Sequence, residues 1–297
     1  MPIFVSFAQQ NKTMHLIADG GSTKTEWILI DRQRVAMRFL TQGFNPNYTD
    51  WETMTAIINN GFPADFPENV EKISYYGSGC GNEKNCQLVA AALRQRFMTA
   101  EIEVTHDMMA AAHAVLGREK GIACILGTGA NSCLYDGKSI VNQAVSLGYL
   151  VGDEGSGTYI GKKVVRSYFY GLMPDDLRQQ FEAEYHLIHK DFIDRLYHYP
   201  QPNTYLSSFC KFAGEHCQNA YIQQLVGDCF NEFLNVFVCR YEDFENLNVS
   251  FVGSVAYHFQ DILKTCLENK GLHLGEIMQT PADGLVKYHL NCKLHTD

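Results

Sequence analysis

Two glycine-rich turns, each set between apolar runs and about a hundred residues apart, constrain this chain more than any other feature. The first lies in LIADGGSTKTEWILID, residues 16 to 31. An apolar run ends at Asp19, two glycines and three hydroxyl-bearing residues follow, and a second apolar run begins at Trp27. The pattern predicts a β-hairpin whose turn carries a carboxylate, glycines and hydroxyls. Glycines let backbone N–H groups approach an anion, and consecutive N–H groups form an anion-binding nest. A carboxylate beside such a nest suits Mg²⁺, which keeps its waters and uses few protein carboxylates. Taken alone, the turn also fits an ordinary tight hairpin. The second turn, in IACILGTGANSCLYDGKSI (122 to 140), again reads strand, Gly127-Thr128-Gly129, strand, and then offers Asp136-Gly137 as a further hairpin turn. Two phosphate-type hairpins predict two similar half-domains facing one nucleotide.

The pattern between the hairpins fits that expectation. Strands are predicted near 15–19, 25–31 and 34–41, a helix near 50–60, a strand at 73–77, a helix near 84–98, a strand at 102–106 and a helix from Asp107. Three antiparallel strands followed by β-α-β-α indicate a mixed α/β sheet covered on both faces. From Gly121 the pattern restarts with strands near 122–126, 131–135 and 139–143, a weak internal repeat. Residues 152 to 242 read as mostly helical, broken near Pro174, Pro200 and Pro202, with the longest helical stretch from Glu215 to Arg240. NVSFVGSVA, 248 to 256, reads as a buried strand, Gly-Ser, and a helix to about 268. Pro281 suits the start of a last amphipathic helix.

Composition removes several classes. The chain has 297 residues, 46% hydrophobic and 19% charged, with a formal charge of −9. Length favours two domains. No block of Lys or Arg stands out, so a nucleic-acid partner is not expected. No apolar run reaches membrane-spanning length. The ten cysteines are irregularly spaced with no CxxC pair, which fits reduced thiols in a cytosol better than a disulfide or zinc framework. Cys80 with Cys86 and Cys210 with Cys217 read as small buried residues. Residues 1–13 carry no basic segment of a signal peptide and are expected to be an over-called start or a disordered tail, with Met14 as the true start.

Taken in order, ADGGSTKT (18–25), LGTGANS (126–132), GYLVGDEGSG (148–157) and FVGSVA (251–256) resemble the BadF/BadG/BcrA/BcrD ATPase family, and within it the N-acetylglucosamine-kinase-like branch, of the actin, sugar kinase and Hsp70 superfamily. The similarity spans nearly the whole chain from Met14. The resemblance implies two ribonuclease-H-like, actin-type ATPase domains with a nucleotide cleft between them: residues 14–118 with 283–297, and residues 119–282 with a helical insertion. It implies ATP and Mg²⁺ as cofactors, Asp19 near Mg²⁺, and Gly20, Gly21, Ser22, Thr23 and Lys24 near the β/γ-phosphates. Gly127, Thr128 and Gly129 would form the second phosphate motif, and Gly253, Ser254 and Val255 would line the adenosine pocket. Asp107 stands where related kinases keep the general base, and Asn45 and Asp153 match positions that contact sugar.

Physical chemistry supports these roles separately. Phosphoryl transfer is mostly positioning and charge neutralisation, with one residue accepting the hydroxyl proton. Asp107 also suits a helix N-cap, as do Asp153 and Glu154 for a helix from about 155. Lys24 reads equally as a phosphate neutraliser or a solvated hairpin charge. Asn45 reads equally as a turn-stabilising residue, and His106 as a strand-end histidine or a pH-sensitive contact. One departure stands out: where N-acetylglucosamine kinases commonly carry Gly-Trp-Gly, this chain has Ser146-Leu147-Gly148. The leading expectation is an ATP-dependent kinase of an amino sugar. The alternatives are an ATPase activator of the 2-hydroxyacyl-CoA dehydratase type, which would need an iron–sulfur cluster, and a non-catalytic sensor. Homodimers are common among such kinases, and the helical part of the second domain could supply the face.

Overall fold

The computed structural model describes residues 14–291; the reading of residues 1–13 and of Cys292 lies outside them. The chain divides into two compact units, residues 14–110 with 282–291 and residues 111–281.

The first unit is built on a five-stranded sheet of order β3-β2-β1-β4-β5. Its strands are β1 (His15–Gly20), β2 (Lys24–Asp31), β3 (Arg34–Gln42), β4 (Lys72–Gly77) and β5 (Glu101–His106). The first three form an antiparallel meander, and β4 and β5 continue it in parallel from β1. Parallel crossovers need helices, supplied by α1 (Trp51–Asn60) and α2 (Glu83–Arg96). Asp50 caps α1 by accepting from Thr53 N–H, and Asn82 caps α2 by accepting from Asn85 N–H. Leu16, Ala18, Trp27 and Tyr75 are buried against Met54, Val89 and Leu93 of these helices.

The helix α3 (Asp107–Leu116) follows β5 directly. The second unit repeats the sheet. Its strands are β6 (Gly121–Leu126), β7 (Ala130–Tyr135), β8 (Ile140–Gln143), β9 (Asn248–Val252) and β10 (His273–Met278), in the order β10-β9-β6-β7-β8. Read from the other edge this is the same topology: an antiparallel meander extended by two parallel strands. The sequence pattern misses β10. Gly275 breaks its alternation, the pairing with β9 shifts register between Leu274 and Ile277, and the strand lies at the sheet edge, only partly buried.

Helices fill the long insertion: α4 (Gly148–Val151), α5 (Gly157–Phe169), α6 (Asp175–Tyr185), α7 (His189–His198), α8 (Pro202–Ser208), α9 (Cys210–Glu215) and α10 (Ala220–Phe233). The expected helix Glu215–Arg240 is corrected at both ends. Asn219 caps α10 by accepting from Tyr221 N–H, and a π-helical turn, Leu234–Val238, closes it. Gly148–Val151 forms the short α4. After β9 come α11 (Ser254–His258) and α12 (Gln260–Asn269), and α13 (Ala282–Asn291) returns to the first sheet, where Arg38 pairs with Asp283. Among the described residues no helix is long and apolar enough to cross a membrane.

Candidate active site

Each unit brings its predicted residues together around its hairpin turn. In the first unit, β1 ends at Gly20 and β2 begins at Lys24. Gly21 N–H donates to the Lys24 carbonyl at 2.9 Å, and Gly43 N–H donates to the Thr23 carbonyl at 2.9 Å. Gly43 lies so close beneath the turn that a Cβ there would strike the Gly21 carbonyl and the Lys24 amide. The turn's carbonyls are thus engaged from within and below. No backbone carbonyl among the described residues accepts from the N–H groups of Ser22 and Thr23, and both residues are exposed. That is the donor arrangement of an anion nest.

Asp19 sits beside this turn, opposite Glu26 across the β1–β2 ladder. Burial pushes its carboxyl up to about 6, Glu26 and Asp107 push in the same direction, and Lys24 partly offsets them. Lys24 itself is exposed and makes no ion pair within 4 Å among the described residues. Asp107 opens α3 at the end of β5, and its Oδ1 accepts from Met108 N–H at 2.8 Å. Its side chain reaches solvent yet is surrounded by protein, and this enclosure holds its carboxyl above the usual range despite the opposing pull of His106. His106 is half-buried, which lowers its own pKa. The carboxylate bonds only the adjacent Met108 N–H, so Asp107 opens the helix without capping it in the usual way.

Asn45 is tied to the same turn. Its Nδ2 donates to Ser22 Oγ at 3.3 Å, and its Oδ1 accepts from Asn47 N–H at 3.0 Å. Behind it stands Asn85, 7% exposed, whose Nδ2 donates to Asn47 Oδ1 at 2.8 Å and to the Gly79 carbonyl at 2.7 Å. Asn85 and Asn47 escaped the sequence reading. Asn85 falls in the first turn of a helix, where an amide looks like surface, and only the fold reveals that it joins three loops.

In the second unit, the N-terminus of α5 secures the LGTG turn. Gly157 N–H donates to the Gly127 carbonyl at 2.8 Å, and Thr158 donates to the Thr128 carbonyl through its N–H at 3.2 Å and its Oγ1 at 2.7 Å. The N–H groups of Thr128 and Gly129 have no backbone acceptor among the described residues. Asp153, buried and in the left-handed region at φ 60°, accepts from Ala130 N–H at the end of the same turn. Burial raises its carboxyl, while that hydrogen bond and Lys162 pull it back. Asp153 and Glu154 do not cap α5; Ser156 does, by accepting from Tyr159 N–H. The chain turns too tightly through Gly155 for the acids to reach the helix start.

Gly253 plays in this unit the part that Gly43 plays in the first. It holds φ 132°, and a Cβ there would strike the Leu126 carbonyl. Ser254 and Val255 open α11 beside it and line a cavity of about 510 Å³ with Cys210, Lys211, Glu215 and His258.

Asp19 and Asp107 offer hard oxygen donors beside a nest, a set that fits Mg²⁺ held by one or two carboxylates and by phosphate oxygens. Among the described residues no three His, Cys, Asp or Glu side chains gather as a metal cage.

No family model matches the chain, and comparison with curated proteins gives no match. Solved structures do match. The putative N-acetylglucosamine kinase of Porphyromonas gingivalis is 38% identical, with 94% of this chain and 99% of that one covered, at a TM-score of 0.89. The chain belongs to the family of that protein. A putative N-acetylglucosamine kinase from Chromobacterium violaceum shares the fold at 16% identity and TM-score 0.72, covering 93% of this chain and 99% of that one. MreB 5 of Spiroplasma citri, solved with AMPPNP, shares it at 9% identity and TM-score 0.54, with 96% of each chain covered. The two repeated sheets are therefore the two α/β domains of the actin-like ATPase fold. Leu147, where the resemblance leads one to expect a Trp, is 63% exposed at the entry to α4.

Proposed function

We propose that the chain is an ATP-dependent kinase that phosphorylates a hydroxyl of a small sugar, an amino sugar such as N-acetylglucosamine or a relative. The observation that carries this reading is the placement of Asp107 at the β5–α3 junction, near enough to Asp19 and its turn for its charge to raise the Asp19 carboxyl. Membership in the family of the Porphyromonas gingivalis protein supports the acceptor class.

In this reading the N–H groups of Ser22, Thr23, Thr128 and Gly129 hold phosphate oxygens, with Gly20, Gly21 and Gly127 keeping both turns tight and Lys24 adding positive charge. Gly253, Ser254 and Val255 border the adenosine in the cavity beside α11. Asn45 and Asp153 orient the sugar. Mg²⁺, held through Asp19, supplies neutralisation of phosphate charge. Asp107 accepts the proton of the sugar hydroxyl as its oxygen bonds to the γ-phosphorus; the bond from that phosphorus to the bridging oxygen breaks, and ADP departs. A carboxyl held above the usual carboxylate range is a stronger base than one at its ordinary value.

The test is ADP release across hexoses, hexosamines and N-acetylated amino sugars. The kinase reading expects release that depends on one sugar class. Slow release indifferent to every sugar, from a protein that contains iron, would replace it with the activator reading.

A further inference from the structure

A cavity of about 670 Å³ opens in the second unit between α4, α5, α7 and α8. That size is typical of sites for small molecules. Six rings line it: Tyr149, Phe169, Tyr170, Phe192, Tyr197 and Tyr199. Several are far from buried, with Tyr170 69% and Tyr197 73% exposed, so an occupant would remove a large aromatic surface from water.

The charges on its wall have one sign. Lys162 and Arg166 line it, and no carboxylate does. Lys162 and Arg166 stand one turn apart on α5. Lys162 Nζ donates to the Tyr149 carbonyl at 2.6 Å. The Arg166 guanidinium makes no ion pair within 4 Å among the described residues; it lies 5.8 Å from the centre of the Tyr170 ring. Of the two acids of α7, Asp194 pairs with His198 at 3.2 Å, and neither it nor Asp191 faces the cavity. The neighbouring cavity, which Arg166 also lines, is mixed in charge, with Lys163, Asp228 and Glu232 on its wall and Glu232 engaged by Lys163.

We propose that this cavity is a second ligand site, for a small organic anion with a planar aromatic body. The rings take up the body, and the guanidinium of Arg166, a planar fork of donors, takes the anionic group with Lys162 beside it. None of the residues proposed to bind nucleotide or sugar lines it. Tyr149 and Leu150 on its wall belong to the segment that leads into Asp153, so an occupant touches the chain next to the candidate sugar loop.

The experiment uses the full chain with saturating Mg-ATP, which keeps probe out of any nucleotide pocket. Two fluorescent probes share one body: 8-anilinonaphthalene-1-sulfonate carries a negative charge and N-phenyl-1-naphthylamine carries none. The sulfonate should bind saturably at one site and more tightly than the amine. Arg166→Glu should weaken the sulfonate about tenfold or more while leaving the amine little changed. Leu196→Trp, which fills the cavity, should abolish both, with circular dichroism confirming the fold of each variant. Equal binding of the two probes, or sulfonate binding indifferent to Arg166→Glu, would overturn the proposal. A dimer that Tyr197→Glu dissociates, with no saturable probe binding, would assign the face to a second copy and also overturn it. Either failure leaves the kinase reading untouched, because the two sites share no residue.

Discussion

Burial gives the charged form of Asp19 an electrostatic cost that Lys24 only partly offsets. Its carboxyl titrates near 6 in the folded chain against 3.8 when unperturbed, mainly because burial disfavours the charged form. The folded state therefore holds the proton more tightly than the unfolded one. On this group's account stability is highest below about pH 4, falls as pH rises towards 6, and stays low above it. Asp19→Asn should raise nucleotide-free stability at pH 7.5 by about 1–2 kcal/mol, with little gain at pH 4, while weakening Mg²⁺-dependent use of ATP. Thermal unfolding at the two pH values, without metal or nucleotide, checks this; equal shifts at both would contradict it. A second residue-scale expectation concerns Asn85. Removing its two donated hydrogen bonds frees Asn47 and, through it, the Asn45 amide. Asn85→Ala should raise KM for the sugar several-fold with a smaller effect on KM for ATP, and should cost about 1–3 kcal/mol of stability. Asn85→Asp should rescue neither, since it lacks the two N–H donors. Asp19, Asp107 and Asn45 were legible in the sequence because each stands at a strand end or turn beside other chemistry. Asn85 was not, because its role exists only through contacts with residues 38 and 6 positions away.

At the scale of elements, each of the two hairpin turns has a glycine from elsewhere in the chain packed against it. Gly253 cannot be replaced cheaply: its φ of 132° disfavours side chains, and a Cβ would push into the Leu126 carbonyl. Gly253→Ala should lower stability by about 1–3 kcal/mol and weaken ATP binding through displacement of the LGTG turn, read as a lower Tm and a higher Kd for ATP. An unchanged Kd would show that the turn does not depend on this contact. The hairpins were readable because Gly-rich turns punctuate clean apolar runs. The fifth strand of the second sheet was not, since Gly275 and the register shift erase the alternation that marks a strand. The limits of α10 were blurred for a related reason: apolar residues recur at helical spacing through the π turn at Leu234–Val238, so periodicity alone does not mark where the α-helix gives way.

For the whole molecule, the repeat of one sheet topology in two units is what the sequence anticipated from two similar hairpins, and β10 completes it. What the sequence does not carry is the acceptor, because specificity is a matter of pocket shape, which residue types at turns do not encode. The proposed function turns on Asp107 acting as the base of a phosphoryl transfer. The most direct measurement is single-turnover transfer from Mg-ATP to the sugar that best drives ADP release, for the natural chain and for Asp107→Asn, with ATP affinity measured alongside. The account predicts ATP binding within a few-fold of the natural chain and transfer slower by about 10²–10⁴. Transfer at an unchanged rate in Asp107→Asn would contradict it.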